Sequence, residues 1–306
     1  MKKENQEQLK KEYFTYVDKL LSEAFERAQK THTENQKNKK EYILTTIWNF
    51  IQSRRIRRRN YMTELQKEEL KSQFMAYAKN QYKQKLPIIF YLFDLPIKTG
   101  QNQNTDLGEE IMLKNLENIA LNIEFVYPYG VQFIILCDGD IFSLSKVVPH
   151  QVIKTYLDNI NTLIHEFSLS RVSIIDWHTC IFKNANEMEE AFKVFKETDD
   201  YTKYLHKEVL AKTSLRCKEI AGPKYSKNLE LELLQARAFF EKNKKLHYDD
   251  NTKNTLGFKV TKGGFKRSNP AFAIYPADPN IETSVSRGIT KLSRKESGVI
   301  IPILIK

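Results

Sequence analysis

The chain has 306 residues, enough for one large or two modest domains with a proper core. Apolar residues make up 41% and charged residues 28%, the balance of a globular protein in water, and no apolar run approaches the length of a membrane-spanning helix. A net charge of +11 leaves three uses open for the excess Lys and Arg: nucleic acid, small phosphates, or a plain solvated surface.

The N-terminal stretch MKKENQEQLKKEYF is charged and lacks the apolar core of a secretory signal, so a cytoplasmic location is expected. Cys137, Cys180 and Cys217 are odd in number and widely separated. They read as reduced thiols, neither a disulfide framework nor a metal site.

Residues 1–85 are expected to be helical. Tyr13, Tyr16, Val17, Leu20, Leu21 and Phe25 form a stripe at helical spacing. A second helix starts near Glu41. A third covers MTELQKEELKSQFMAYAKNQ, with Thr63 as N-cap and Gln66 in the capping-box position. The cluster SRRIRRRN at 53–60 suits the cationic last turn of the second helix better than a nucleic-acid groove, so nucleic acid is not the expected partner.

The pattern changes at Leu86. LPIIFYLFDLPIK is a short apolar run between prolines, the signature of a buried strand. A Gly/Asn-rich loop follows, then an amphipathic helix through Met112, Leu116, Ile119, Ala120 and Ile123. VYPYGVQFIILCDG returns to a strand, HQVIKTYLDNINTLIHEF to a helix, and RVSIIDWH to a strand. This alternation predicts an α/β fold: a mostly parallel, Rossmann-like sheet with flanking helices and an N-terminal helical segment. The division expected is 1–85 for that segment and 86–306 for the α/β body. Residues 183–250 read as charged helices. The tail, with GFKVTKGGFKRSNPAFAIYP and ESGVIIPILIK, reads as further strands, some at edges because of their prolines. TKGGFKRSN lacks both Walker spacing and the GxGxxG order, so a basic hairpin turn describes it.

Asp138-Gly139 has two readings. In parallel α/β sheets ligands bind at the carboxyl ends of strands, where this pair would stand. Equally, Asp-Gly between Ile134 and Phe142 suits a hairpin turn. His178 ends another strand with Asp176 two residues before it. As an isolated histidine without HxH or HExxH spacing, it reads as structural.

The ordered series LPIIFYLFDLPIKTGQNQNTDLGEE, VYPYGVQFIILCDGDIFS and VIKTYLDNINTLI resembles the isocyanide (isonitrile) synthase family, the pyoverdine/dityrosine biosynthesis group. The matching positions are Pro96, Lys98, Asn102 or Asn104, Asp106 and Gly108-Glu109. They continue at Tyr127-Pro128-Tyr129-Gly130, Asp138-Gly139 and Phe142-Ser143, with Tyr156 downstream. The resemblance implies an enzyme that joins the amino group of an aromatic amino acid to carbon from a pentulose phosphate, ribulose 5-phosphate, with no metal or redox cofactor. It implies Asp138 and Lys98 as catalytic residues, and Asn104, Gly139, Ser143, Ser284 and Arg287 as substrate-binding ones. Asp106 and Glu109 are expected to cap a helix.

The chain departs from the family pattern at several positions. Asp140 stands where the family has Arg or His, Cys137 where it has Ser, and Leu144 where it has Asp. Glu282 and Ser286 stand for an Arg and a His near the C-terminus. These departures motivate an alternative expectation, a binding or regulatory protein that has lost catalysis.

Overall fold

The computed structural model describes residues 3–30, 39–53, 63–94, 105–247, 257–261, 272–273, 290–294, 298 and 300–304. Three helices come first: α1 (Lys3–Lys30), α2 (Lys39–Gln52) and α3 (Glu64–Gln84). Strands and helices then alternate through β1 (Ile88–Asp94), α4 (Leu107–Glu124), β2 (Val131–Cys137), the short α5 (Asp140–Leu144), α6 (His150–Glu166) and β3 (Val172–Asp176). A 3-10 turn at Trp177–Cys180 leads to α7 (Ala185–Thr198), α8 (Lys207–Ala221) and α9 (Lys227–His247). Four short strands follow: β4 (Phe258–Thr261), β5 (Phe272–Ala273), β6 (Thr290–Arg294) and β7 (Ile300–Leu304).

The main sheet has the order β3-β2-β1-β4-β5 with every pairing parallel. This is the expected Rossmann-like α/β arrangement. The chain winds outward from β1 to β3, then returns to place β4 on the other side of β1, which makes the β1/β4 boundary a topological switch point. β6 and β7 form a separate antiparallel pair in which Pro302 of β7 lies opposite Leu292. A proline is tolerated there because a two-stranded ribbon leaves each strand an unpaired edge.

The local chemistry explains these elements. Thr63 and Gln66 exchange side-chain and backbone hydrogen bonds, the capping box expected for α3. The α3 helix then ends at Lys85, in left-handed backbone just before Pro87. Gly130, at φ +86°, makes the turn into β2, and its carbonyl accepts from Ile88 N at 3.0 Å, which sets the start of β1 beside β2. Ile89 N donates to the Tyr77 hydroxyl at 3.0 Å, so α3 supplies a hydrogen bond at the head of β1. β1 and β4 pair from Phe90 and Phe258 onward.

The core runs between the N-terminal helices and the sheet. Phe74 of α3 stacks on Phe90 of β1 at 6.3 Å between ring centroids, and Phe90 on Phe133 of β2 at 5.2 Å. Trp48 of α2 meets Phe74 at 5.7 Å. Each of these rings is buried, and rings of this size contribute area plus offset-stacking energy. α1 packs on α2, α4 and β6, and Arg294 of β6 pairs with Glu12 of α1. The basic cluster at 54–60 and the glycine-rich turn at 262–269 lie outside the described residues. No helix among the described residues is long and apolar enough to cross a membrane.

Candidate active site

β2 and β3 end side by side, with Cys137 directly opposite Asp176. Both chains then turn sharply. β2 passes through Asp138-Gly139 into α5, and β3 into the 3-10 turn that begins at Trp177. The strand-end reading of Asp138-Gly139 therefore holds and the hairpin reading does not, because β2 has parallel partners on both sides and runs on into a helix. Gly139 has ordinary right-handed helical backbone, φ −60° and ψ −27°, so no turn geometry demands a glycine there.

These two turns bring four polar side chains together. Asp138, Asp140 and His178 are buried and Asp176 is half-buried. The Asp140 carboxylate is 1% exposed and accepts from the His178 ring through Nδ1, at 2.8 Å. The same oxygen accepts from the His178 backbone N–H at 3.3 Å. Among the described residues Asp140 thus faces neither Arg nor Lys, and it is buried from solvent; its partner is a histidine on the neighbouring strand turn. That hydrogen bond, followed by burial opposing it and then the charges of Asp140 and Asp176, raises the pKa of His178. Burial first, and then repulsion by Asp140, raises the pKa of Asp176, while His178 and His150 act against the shift.

Asp138 has a cation at longer range. Arg237 of α9 places Nη1 3.9 Å from Asp138 Oδ2, binds Glu241 through Nη2 at 2.7 Å, and lies over the Phe240 ring at 5.2 Å. Trp177 packs on Phe240 at 4.5 Å and on Phe182 at 6.2 Å, forming an apolar wall beside the cluster. Cys137, between these carboxylates, is no nucleophile. Burial pushes its thiol well above the ordinary range, and Asp176, Asp138 and Asp140 push it further, with only the Gly139 N–H opposing.

One ligating atom from each of Asp140, Asp176 and His178 lies within 4.8 Å of the other two, a spacing that admits a divalent cation. In the structure His178 Nδ1 and Asp140 Oδ2 are engaged with each other in a 2.8 Å hydrogen bond. The arrangement is that of a hydrogen-bonded acid–base group.

Of the expected site residues, the structure brings Asp138, Gly139 and Ser143 to this strand end. The Ser143 hydroxyl donates to the Asp140 carbonyl at 3.1 Å, a bond within the α5 turn. Lys98, Asn104, Ser284 and Arg287 lie outside the described residues. Asp106 and Glu109 form the expected capping box at the start of α4, and Tyr156 of α6 donates to Glu109 at 3.4 Å. His178 and Arg237 were missed as site residues. The Asp-Trp-His ending of a buried strand was the available signal for His178; nothing local in the α9 sequence marks Arg237.

The sequence pattern described as pyoverdine/dityrosine biosynthesis protein matches residues 79–266, more than half of the chain and every element of this cluster. The chain belongs to that family. The family match stops short of β6, β7 and the segment containing Ser284 and Arg287. Among solved structures the fold is similar to that of the PvcA protein from Pseudomonas aeruginosa, with a TM-score of 0.63 and 14% identity over 84% of this chain and 92% of that one. Comparison with curated proteins gives no match.

Proposed function

We propose that this family member is an isonitrile-synthase-like enzyme in the cytoplasm, which condenses the amino group of an aromatic amino acid with a pentulose phosphate, ribulose 5-phosphate, as the source of the isocyanide carbon. The observation that carries this reading is the buried Asp138, held at the carboxyl end of β2 within the family-matched region, with Arg237 3.9 Å from its carboxylate and the Asp140–His178 pair formed by the two strand-end turns.

The chemistry calls for a group that orients the amine, cations for phosphate and carboxylate, and an apolar slot for the side chain. Asp138 orients the amine. Arg237 at 26% side-chain exposure is accessible enough to meet an anionic group, with Lys98 as the second cation. Trp177, Phe182 and Phe240 supply the apolar wall.

The test is incubation of the purified protein with tyrosine or tryptophan and ribulose 5-phosphate, read by mass spectrometry for the isonitrile. Product from wild type and its loss by about 100-fold or more in Asp138→Asn is the expected result, the scale of a lost acid–base or positioning group. A folded wild-type protein that makes no product, beside an active relative assayed in parallel, overturns the reading. The rival reading, a binding protein without catalysis, rests on the carboxylate of Asp140 where the family has a cation. Its weight is reduced because Asp140 is buried against His178 and presents no bare charge to a ligand.

A further inference from the structure

We propose that His178 is the proton-transfer residue of this site and that Asp140 is its positioning residue. The inference rests on the synthase reading and deepens it.

A buried carboxylate in place of a cation needs compensation, and it is provided by two bonds from one residue, the ring and the backbone N–H of His178. Two bonds to one oxygen fix the imidazole in rotation as well as in place. They also fix its tautomer: Nδ1 carries the proton that Asp140 accepts, so proton exchange falls to Nε2. The pair stands at the carboxyl ends of adjacent parallel strands, next to Asp138. A purely structural histidine has no need of that address.

Among the described residues, the charged and titratable groups of this cluster come from five elements. Asp140 faces it from α5 and Asp176 from the end of β3. His150, at the start of α6, acts on Asp176. Asp138 and the neutral Cys137 thiol come from the end of β2, and Arg237 from α9. Two carboxylates close to the ring keep its proton affinity above that of an ordinary imidazole.

In the condensation, Nε2 of neutral His178 takes one proton from the substrate ammonium. The freed nitrogen lone pair forms the N–C bond to the ketone carbon, and the carbonyl electron pair moves to oxygen. The proton held by His178 and a second proton from nitrogen end on that oxygen. It leaves as water, and an iminium ion with the original single positive charge remains. No oxidant or reductant is required.

The experiment combines activity and a direct titration. Wild-type isonitrile formation is measured against pH, together with His178→Gln and Asp140→Asn, each checked for folding by thermal melting; the His178 ring is followed by NMR in the absence of substrate. His178→Gln is expected to lose about 100-fold or more in kcat with a smaller effect on KM. In wild type the rate rises with pH as His178 loses its proton. In Asp140→Asn that rising limb and the NMR titration of His178 both move to lower pH, because the partner carboxylate is gone.

A folded His178→Gln with wild-type kcat overturns the proposal. So does a His178 ring that titrates at or below the ordinary imidazole value in wild type, a result independent of whether any variant folds. Activity abolished by a chelator and restored by a divalent cation also overturns it, since the cluster would then be a ligand set. Wild type without isonitrile activity overturns the synthase reading itself and the proposal with it; an active wild type with an unaffected His178→Gln overturns this proposal alone.

Discussion

At the scale of single residues, two carboxylates of the site are each matched to a basic side chain from elsewhere in the chain. Asp140 has His178 and Asp138 has Arg237. Removing a cation from such a pair costs more than removing both members, because the surviving carboxylate stays buried. Arg237→Met keeps the apolar length over Phe240 but leaves Asp138 without that charge. The expected loss is roughly 1–3 kcal/mol, below the full range for a buried pair because Arg237 is partly exposed. Urea denaturation of the variant beside wild type measures it, and the double change Arg237→Met with Asp138→Asn should recover part of the loss. The carboxylate half of each pair was legible in the sequence, because CDGD follows an apolar run at a strand end. The basic half was not. Histidine and arginine acquire these roles only when β3 and α9 are brought beside β2, and no local spacing records that meeting.

At the scale of elements, two features decide where the strands sit, and they differ in how visible they were. The capping boxes at Thr63/Gln66 and Asp106/Glu109 follow from residue types three apart, and both were expected from the sequence. The seating of β4 on β1 was not. It depends on Gly257, which has φ +155° and passes so close to β1 that an added Cβ would fall 2.5 Å from the Ile89 carbonyl oxygen. That neighbour is backbone and has little room to yield. Gly257→Ala is therefore expected to destabilise by about 2 kcal/mol or more and to loosen β4 in preference to β2. Hydrogen exchange, read separately at β1–β2 and at β1–β4, distinguishes local from general loss. Equal protection at Val260 in variant and wild type would count against this account.

At the scale of the whole molecule, the parallel sheet was legible because its strands are continuous apolar runs separated by amphipathic helices. Strand order was not, since nothing in the sequence of β4 announces that it returns to the far side of β1. The global fold also carries a pH signature. His178 holds its proton more tightly folded than unfolded, so its contribution is fully present below the ordinary imidazole value of 6.5 and is lost as pH rises through the raised folded value. Asp176 has the same sign in a more acidic window. Its raised folded value means that it contributes most below the ordinary 3.8, with loss as pH climbs through the raised one. The melting temperature of wild type should therefore fall between mildly acidic and mildly alkaline buffer by more than that of His178→Gln. Calorimetry across that range tests it, and parallel curves for the two proteins would contradict it.

The bond between Asp140 and His178 also constrains the history of the chain. If an ancestor carried the cation usual in the family at position 140, the two replacements had an order. An aspartate arriving first would have been sealed in the protein with the backbone N–H of residue 178 but without its side-chain donor, a change large enough to threaten folding. A histidine arriving first at 178 would have been a neutral, tolerable passenger. The route that keeps every intermediate folded puts the histidine before the aspartate. On that route, relatives at the branching point should include chains with His at this position and a cation still at the other, and none with the reverse.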